Sequence, residues 1–327
     1  MKIRVPEYFT SFKCIADKCL DSCCIGWEID VDDTAMAKYA ALDTELGREI
    51  MEKTSHGYFP LQENGRCAFL DERGLCRIIS AVGDGHLCDI CREHPRYYGV
   101  GDGVIEGGLG LGCEEAARML LELDELPRLI EIERDVHYFD EDEYADVSEK
   151  IRNALFESIF TCDIRSLIYT YLEYAKIADE VAFAASTGSG NVEIQKPEAG
   201  EIPKERLSEL YSGIFELIDE CEALTDGWDE LCKNAKSVDV ENVINTLDGA
   251  RGLIYYFTHR YVREGVEDMS IAARILFAIT SSLAAIGISK VINSDEALVR
   301  SAVMYSKNIE YSTDNVDVIL EGLCEIL

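Results

Sequence analysis

Nine of the thirteen cysteines in this 327-residue chain fall between residues 14 and 113: Cys14, Cys19, Cys23, Cys24, Cys67, Cys76, Cys88, Cys91 and Cys113. A free cysteine is commonly a small core hydrophobe, and that reading suits the scattered Cys162, Cys221, Cys232 and Cys324. It does not suit nine thiols in under a third of the chain. Thiolate is the soft ligand that zinc and iron–sulfur clusters select, and four thiolates close one coordination shell. The segment can therefore serve one metal site or two. Cys23 and Cys24 are neighbours, so in extended backbone they face opposite ways. Only a turn, for which Gly26 is suited, would bring both to one ion.

Length and charge limit the alternatives. A chain this long has room for two domains and a large core, so it does not need disulfide staples. The opening MKIRVPEYFTSFKC has neither the apolar core nor the small-residue cleavage site of a secretory signal. A reducing, cytoplasmic setting with free thiols is the expectation. Net charge is −32, from 63 acidic and 31 basic side chains. Such a surface repels nucleic-acid phosphates and anionic membranes, and favours a basic or lysine-bearing protein partner. The longest uncharged apolar run, Ile275–Ser289, is shorter than the roughly 20 residues of a spanning helix, and reads as a buried core helix.

Residues 1–13 read as extended. The alternation Glu28-Ile29-Asp30-Val31-Asp32 reads as a strand, and a helix capped by Asp33 or Thr34 is expected over 34–52. Arg66–Leu70 and Leu75–Ile79 flank the turn sequence Asp71-Glu72-Arg73-Gly74, which predicts a small hairpin presenting Cys67 and Cys76. Cys88-Asp89-Ile90-Cys91 has the two-residue spacing that sets two thiolates on one ion, and Pro95 ends any helix beyond it. His94 reads as a hydrogen-bonding neighbour rather than a ligand. Arg66, Arg77, Arg92 and Arg96 interleave with the thiols, either to offset the charge of a cluster or simply as surface residues. Gly107–Gly112 resembles a phosphate-binding glycine loop, but its glycines alternate with Leu109 and Leu111, which describes a strand with one apolar face.

Between Glu114 and Asp146 stand thirteen acidic residues against three arginines, a solvated connection. Helical patterns follow over 147–185, with a break near Asp163, and over 204–222, 242–263, 270–292, 295–305 and 314–326. Ser186–Pro203, rich in Gly, Ser and Pro, reads as a mobile loop. The aromatic run Tyr255–Tyr261 reads as core packing. The expected fold is mainly α: a small cysteine-rich α+β module of short strands (1–125), an acidic connecting segment (126–146) and an α-helical bundle (147–327).

The order and spacing Cys14-x4-Cys19-x3-Cys23-Cys24-x-Gly26-Trp27, then Cys67-Ala68-Phe69-Leu70, Cys76, Cys88-x2-Cys91-Arg92-x2-Pro95-Arg96 and Cys113-x-Glu115-Ala116-Ala117-Arg118, resembles the flagellin lysine-N-methylase (FliB-like) family. The resemblance spans about the first 120 residues, within a broader group of cysteine-cluster proteins. It implies N-methylation of flagellin lysines with S-adenosylmethionine, and a [4Fe–4S] cluster held by the cysteine segment. Zinc is the alternative metal. The alternative function is a non-catalytic cysteine-cluster protein that recognises a basic partner. The Cys-x3-Cys-x2-Cys pattern of radical enzymes is not met, because Gly26 stands where its third thiol belongs. Tyr97, Tyr98 and the acidic stretch are available to strip an ammonium of its proton, but spacing singles out no catalytic or donor-binding residue.

Overall fold

The computed structural model describes residues 1–101, 104–134, 145–186, 194–263 and 270–325. The chain is mainly helical with small sheets, and divides into two compact units, neither contiguous in sequence. One holds Phe12–Tyr97 and Leu109–Ala116; the other holds Met1–Ser11, Tyr98–Gly108 and Ala117–Leu327. The contiguous partition at 125 and 146 read from the sequence differs from this interleaved one. Residues 1–13 are not all extended: β1 (Lys2–Pro6) gives way to a tight 3-10 turn at Glu7–Ser11.

The cysteine unit is built of short pieces. After β2 (Ile29–Asp30) the single helix expected over 34–52 is two. Asp32, not Asp33 or Thr34, caps α1 (Asp33–Ala40) by accepting from the Ala35 amide at 2.9 Å. Thr44 caps α2 (Glu45–Lys53) by accepting from the Gly47 amide at 3.1 Å. A threonine hydroxyl that takes a helix-start amide interrupts the preceding helix, which is the physical reason for the break. β3 (Tyr58–Phe59) pairs antiparallel with β2.

The predicted turn at 71–74 forms, with Gly74 at φ +81 and its amide 3.0 Å from the Asp71 carbonyl. The hairpin does not. Pairing stops at the Leu70–Cys76 bridge, and the second arm becomes α3 (Arg77–Val82), where i,i+4 bonds satisfy the backbone locally. A short helix α4 (Asp89–Glu93) follows, its Asp89 amide donating at 2.7 Å to the oxygen of Asp32 not used at α1. Ile29, Tyr39, Ile50, Phe59 and Phe69 centre the apolar core of this unit.

The helical unit carries a four-stranded sheet. β4 (Arg96–Gly101), β5 (Val104–Leu109), β1 and β6 (Leu129–Glu133) are neighbours in that order, with α5 (Glu114–Leu121) between β5 and β6 in sequence. β1 pairs parallel with β5, setting Arg4 opposite Glu106, and antiparallel with β6. Part of the segment read as a mere connection is thus an edge strand; 135–144 of that segment lie outside the described residues. The glycine stretch is strand through Leu109, as its alternation predicts.

The bundle comprises α6 (Ala145–Ile159), α7 (Ile164–Ser186), α8 (Lys204–Ile218), α9 (Trp228–Ala235), α10 (Val240–Leu247), α11 (Gly252–Tyr261), α12 (Ile271–Ser289), α13 (Ala297–Tyr305) and α14 (Thr313–Cys324). The break at Asp163 is present, its carboxylate accepting from the Arg165 and Ser166 amides at 3.1 and 3.0 Å. The helix expected over 242–263 is split at Asp248–Arg251. There the Arg251 guanidinium turns to the Ile159 and Cys162 carbonyls, at 2.5 and 2.7 Å. α9 was not anticipated, and its Trp228 is buried.

α12 is long and apolar enough by length and composition to cross a membrane, yet 94% of its apolar window is buried inside the protein. It packs against α7, α10, α11, α13 and α14 as the core helix the sequence suggested. Asp179 on α7 accepts its Ala272 amide at 3.0 Å. The aromatic helix α11 is core as read, with Tyr255, Tyr256, Phe257 and Tyr261 buried. In the 186–203 loop, residues 187–193 lie outside the described residues. Its far end is held: Ile202 is buried, and its carbonyl accepts from the Arg165 guanidinium at 3.0 Å.

Candidate thiol-rich metal centre

All nine N-terminal cysteines lie in the cysteine unit, and every one is a free thiol. Cys76 and Cys88 occupy the N-cap positions of α3 and α4, and Cys113 immediately precedes α5. An N-cap sulfur sits where first-turn amides and the positive end of the peptide dipoles favour its anionic form. Neither N-cap sulfur closes a side-chain cap hydrogen bond, although nearby amides favour the anionic form of Cys76, Cys88 and Cys113 against the effect of burial. Cys14 accepts from the Ala16 amide at 3.4 Å.

The thiols fall into two neighbourhoods. Cys67 and Cys88 are buried in the apolar core of the unit, and Cys24, Cys76 and Cys91 pack against it. The Cys67 amide donates to the Cys24 carbonyl at 2.8 Å, which fixes these two segments side by side. The remaining Cys14, Cys19, Cys23 and Cys113 lie apart from that core. Glu114, only 4% exposed, accepts from the Leu20 and Asp21 amides at 2.7 and 3.3 Å and from the Cys19 thiol at 3.5 Å. That carboxylate ties Cys19 to the Cys113 end. Cys23 and Cys113 both feel Cys14 electrostatically, and Cys19 feels Cys113.

Cys23 and Cys24 form the junction. The Cys23 thiol donates to Cys24, which holds Cys24 down to about 7 and Cys23 above the ordinary thiol range. Gly26, at φ +94, makes the turn the sequence suggested, and the two adjacent thiols meet there. Elsewhere burial raises the thiols, Cys67 to about 11 and Cys19 to about 12. Cys91 donates to Cys88 and stays protonated, whereas Cys88 is lowered by that bond.

Of the four interleaved arginines, Arg66 lowers Cys24 electrostatically. Arg77 instead makes a two-pronged pair with Glu49, at 2.9 and 2.6 Å, and Arg92 pairs with Asp89 at 2.5 Å. The Arg96 guanidinium lies 5.3 Å from the Phe12 ring centre. The His94 ring lies 6.3 Å from Trp27. Glu114 is the site residue that sequence reasoning did not single out; its signal was its position directly after Cys113.

Among the described residues no set of three or more His, Cys, Asp and Glu side chains is closed tightly enough to hold a single ion. Ligands of one zinc stand roughly 4 Å apart, given Zn–S bonds of about 2.3 Å. An all-thiol donor set is the chemistry that zinc and iron–sulfur clusters both select.

Comparison with known proteins agrees with the cysteine pattern. Over 126 residues, 36% of this chain, it is 32% identical to the flagellar biosynthetic protein FliU of Salmonella muenchen, covering 75% of that protein. The chain belongs to the FliB-like flagellin lysine-N-methylase family. Over 126 residues it is likewise 32% identical to the lysine-N-methylases of Salmonella typhimurium and Salmonella choleraesuis, and the match spans 31% of each. No family model and no solved structure matches the chain. The family is therefore assigned from sequence relatives, while the arrangement of the thiols comes from the fold of this chain.

Proposed function

We propose that this protein is a protein lysine N-methyltransferase that takes its methyl group from S-adenosylmethionine and carries iron–sulfur chemistry in its cysteine unit. The observation that carries this reading is its similarity to proteins named lysine-N-methylase. Flagellin is the proposed substrate, because the relatives include a flagellar biosynthetic protein. The nine free thiols gathered in one unit support the cluster.

S-adenosylmethionine, when bound, supplies an electrophilic methyl group. A lysine side chain, with a reference pKa of about 10.4, must give up its ammonium proton before its lone pair can accept that methyl. The methylated nitrogen then bears the positive charge, and S-adenosylhomocysteine leaves. An acidic surface favours encounter with lysine-bearing partners. The cysteine unit would hold the cluster through its thiolates and exclude water with the apolar core around Cys67 and Cys88.

The test is anaerobic purification, incubation with S-adenosylmethionine and the flagellin of the same source, and peptide mass mapping. Methyl gain on flagellin lysines supports the reading. A protein with its metal centre intact that neither binds the donor nor methylates any protein offered is instead the non-catalytic binder of a basic partner.

A further inference from the structure

We propose that the cysteine unit holds two metal centres, not one: the first on four of the five thiols Cys24, Cys67, Cys76, Cys88 and Cys91, the second on Cys14, Cys19, Cys23 and Cys113. This deepens the iron–sulfur part of the proposed function and rests on it. The argument is one of placement. The first five thiols all lie in or against one apolar core, and none of the other four does. The second set is gathered by different means: the buried Glu114 bridges the Cys19 segment to the residue after Cys113, and Cys14 and Cys113 are the neighbours of Cys23.

Stoichiometry points the same way. Four thiolates complete a [4Fe–4S] shell, so one centre would leave five of the nine thiols without a purpose. Five and four thiols suffice for two. The adjacent pair Cys23 and Cys24 is where the two sets meet, and only Cys24 of the pair joins the apolar core.

The two sets also differ in setting. Cys67 and Cys88 are 8% and 0% exposed, whereas Cys14 is exposed. The centre on the Cys14 set is therefore the one open to solvent, and oxygen or a chelator should remove it first.

The experiment measures iron, acid-labile sulfide and zinc per chain in the anaerobically purified and reconstituted full-length protein. Cys67→Ser tests one set, Cys113→Ser the other, and Cys14→Ser serves as a second variant of that set at an exposed position. Circular dichroism confirms that each variant is folded. The expected result is about eight iron and eight sulfide in the parent protein, for two four-iron centres. That content should fall by half in Cys67→Ser and by half in Cys113→Ser or Cys14→Ser, and be lost when Cys67→Ser and Cys113→Ser are combined. A parent protein with one centre's worth of metal overturns the division while leaving the iron–sulfur reading intact, as does complete loss in each single variant. Two equivalents of zinc, halved by each variant, would keep the division and overturn the iron–sulfur reading. A folded protein that takes up no metal overturns both.

Discussion

Glu106 shows how one buried residue can organise a sheet and two helices. It lies on β5, opposite Arg4 of β1, and is salt-bridged to Arg4. The Arg152 guanidinium, itself fully buried, grips it with bonds of 2.5 and 3.1 Å, and Arg263 stands at 3.3 Å. These cations hold the carboxyl well below the usual carboxylate range against the cost of burial. Glu106→Gln should therefore destabilise the helical unit by about 3–5 kcal/mol, since it leaves buried guanidinium charge uncompensated; chemical denaturation measures this. His259 lies in the same neighbourhood, and burial, with Arg152, Arg263 and Arg4 adding to it against the pull of Glu106, lowers its pKa to about 3. The unfolded chain then takes up a proton near pH 6.5 that the folded chain refuses, so stability falls as pH drops from 6.5 toward 3. Thermal melts of the parent should show this decline, and His259→Gln should flatten it above about pH 4.5, where carboxylates begin to titrate.

At the scale of elements, close approach and polar clamps decide where helices sit. A Cβ on Gly252 at the start of α11 would lie 1.7 Å from the Leu120 carbonyl oxygen of α5, and backbone cannot yield as a side chain can. Gly252→Ala should cost about 1–3 kcal/mol or more through forced separation of the two helices, visible as a lowered denaturation midpoint. Beyond α13, buried Asn308 accepts from the Leu224 and Thr225 amides, both at 3.0 Å, and donates to the Met304 carbonyl at 2.8 Å. It is the fixed point to which the loop after α8 is tied. Asn308→Ala strands those amides, and should lower stability by about 1–3 kcal/mol while hydrogen exchange at Leu224 and Thr225 rises.

At the scale of the whole molecule, 63 acidic against 31 basic side chains make self-repulsion a property of the folded state. Raising salt from about 0.01 M to 0.3 M shortens the reach of that repulsion from roughly 30 Å to under 10 Å, and should raise the melting temperature. The same salt should slow association with a basic protein partner, as read by stopped-flow or surface-binding kinetics. A melting temperature that falls with salt would mean that specific ion pairs outweigh the overall repulsion.

The amino-acid sequence alone determined the all-thiol segment, the helical remainder, the break at Asp163 and the burial of Ile275–Ser289. Each depends on local spacing or on composition, which survive without knowledge of neighbours. It also carried the family, because the order of nine cysteines is itself a sequence property. Only the tertiary structure decided that β1 leaves the cysteine segment to pair with β5 and β6, since strand pairing joins residues more than 100 positions apart. That the expected hairpin arm Leu75–Ile79 instead runs into the helix Arg77–Val82 was likewise decided by the fold. The grouping of the thiols has the same origin: Cys23 and Cys24 are adjacent in the chain, but what each faces is set by a core assembled from residues 29 to 91 and by a carboxylate at position 114.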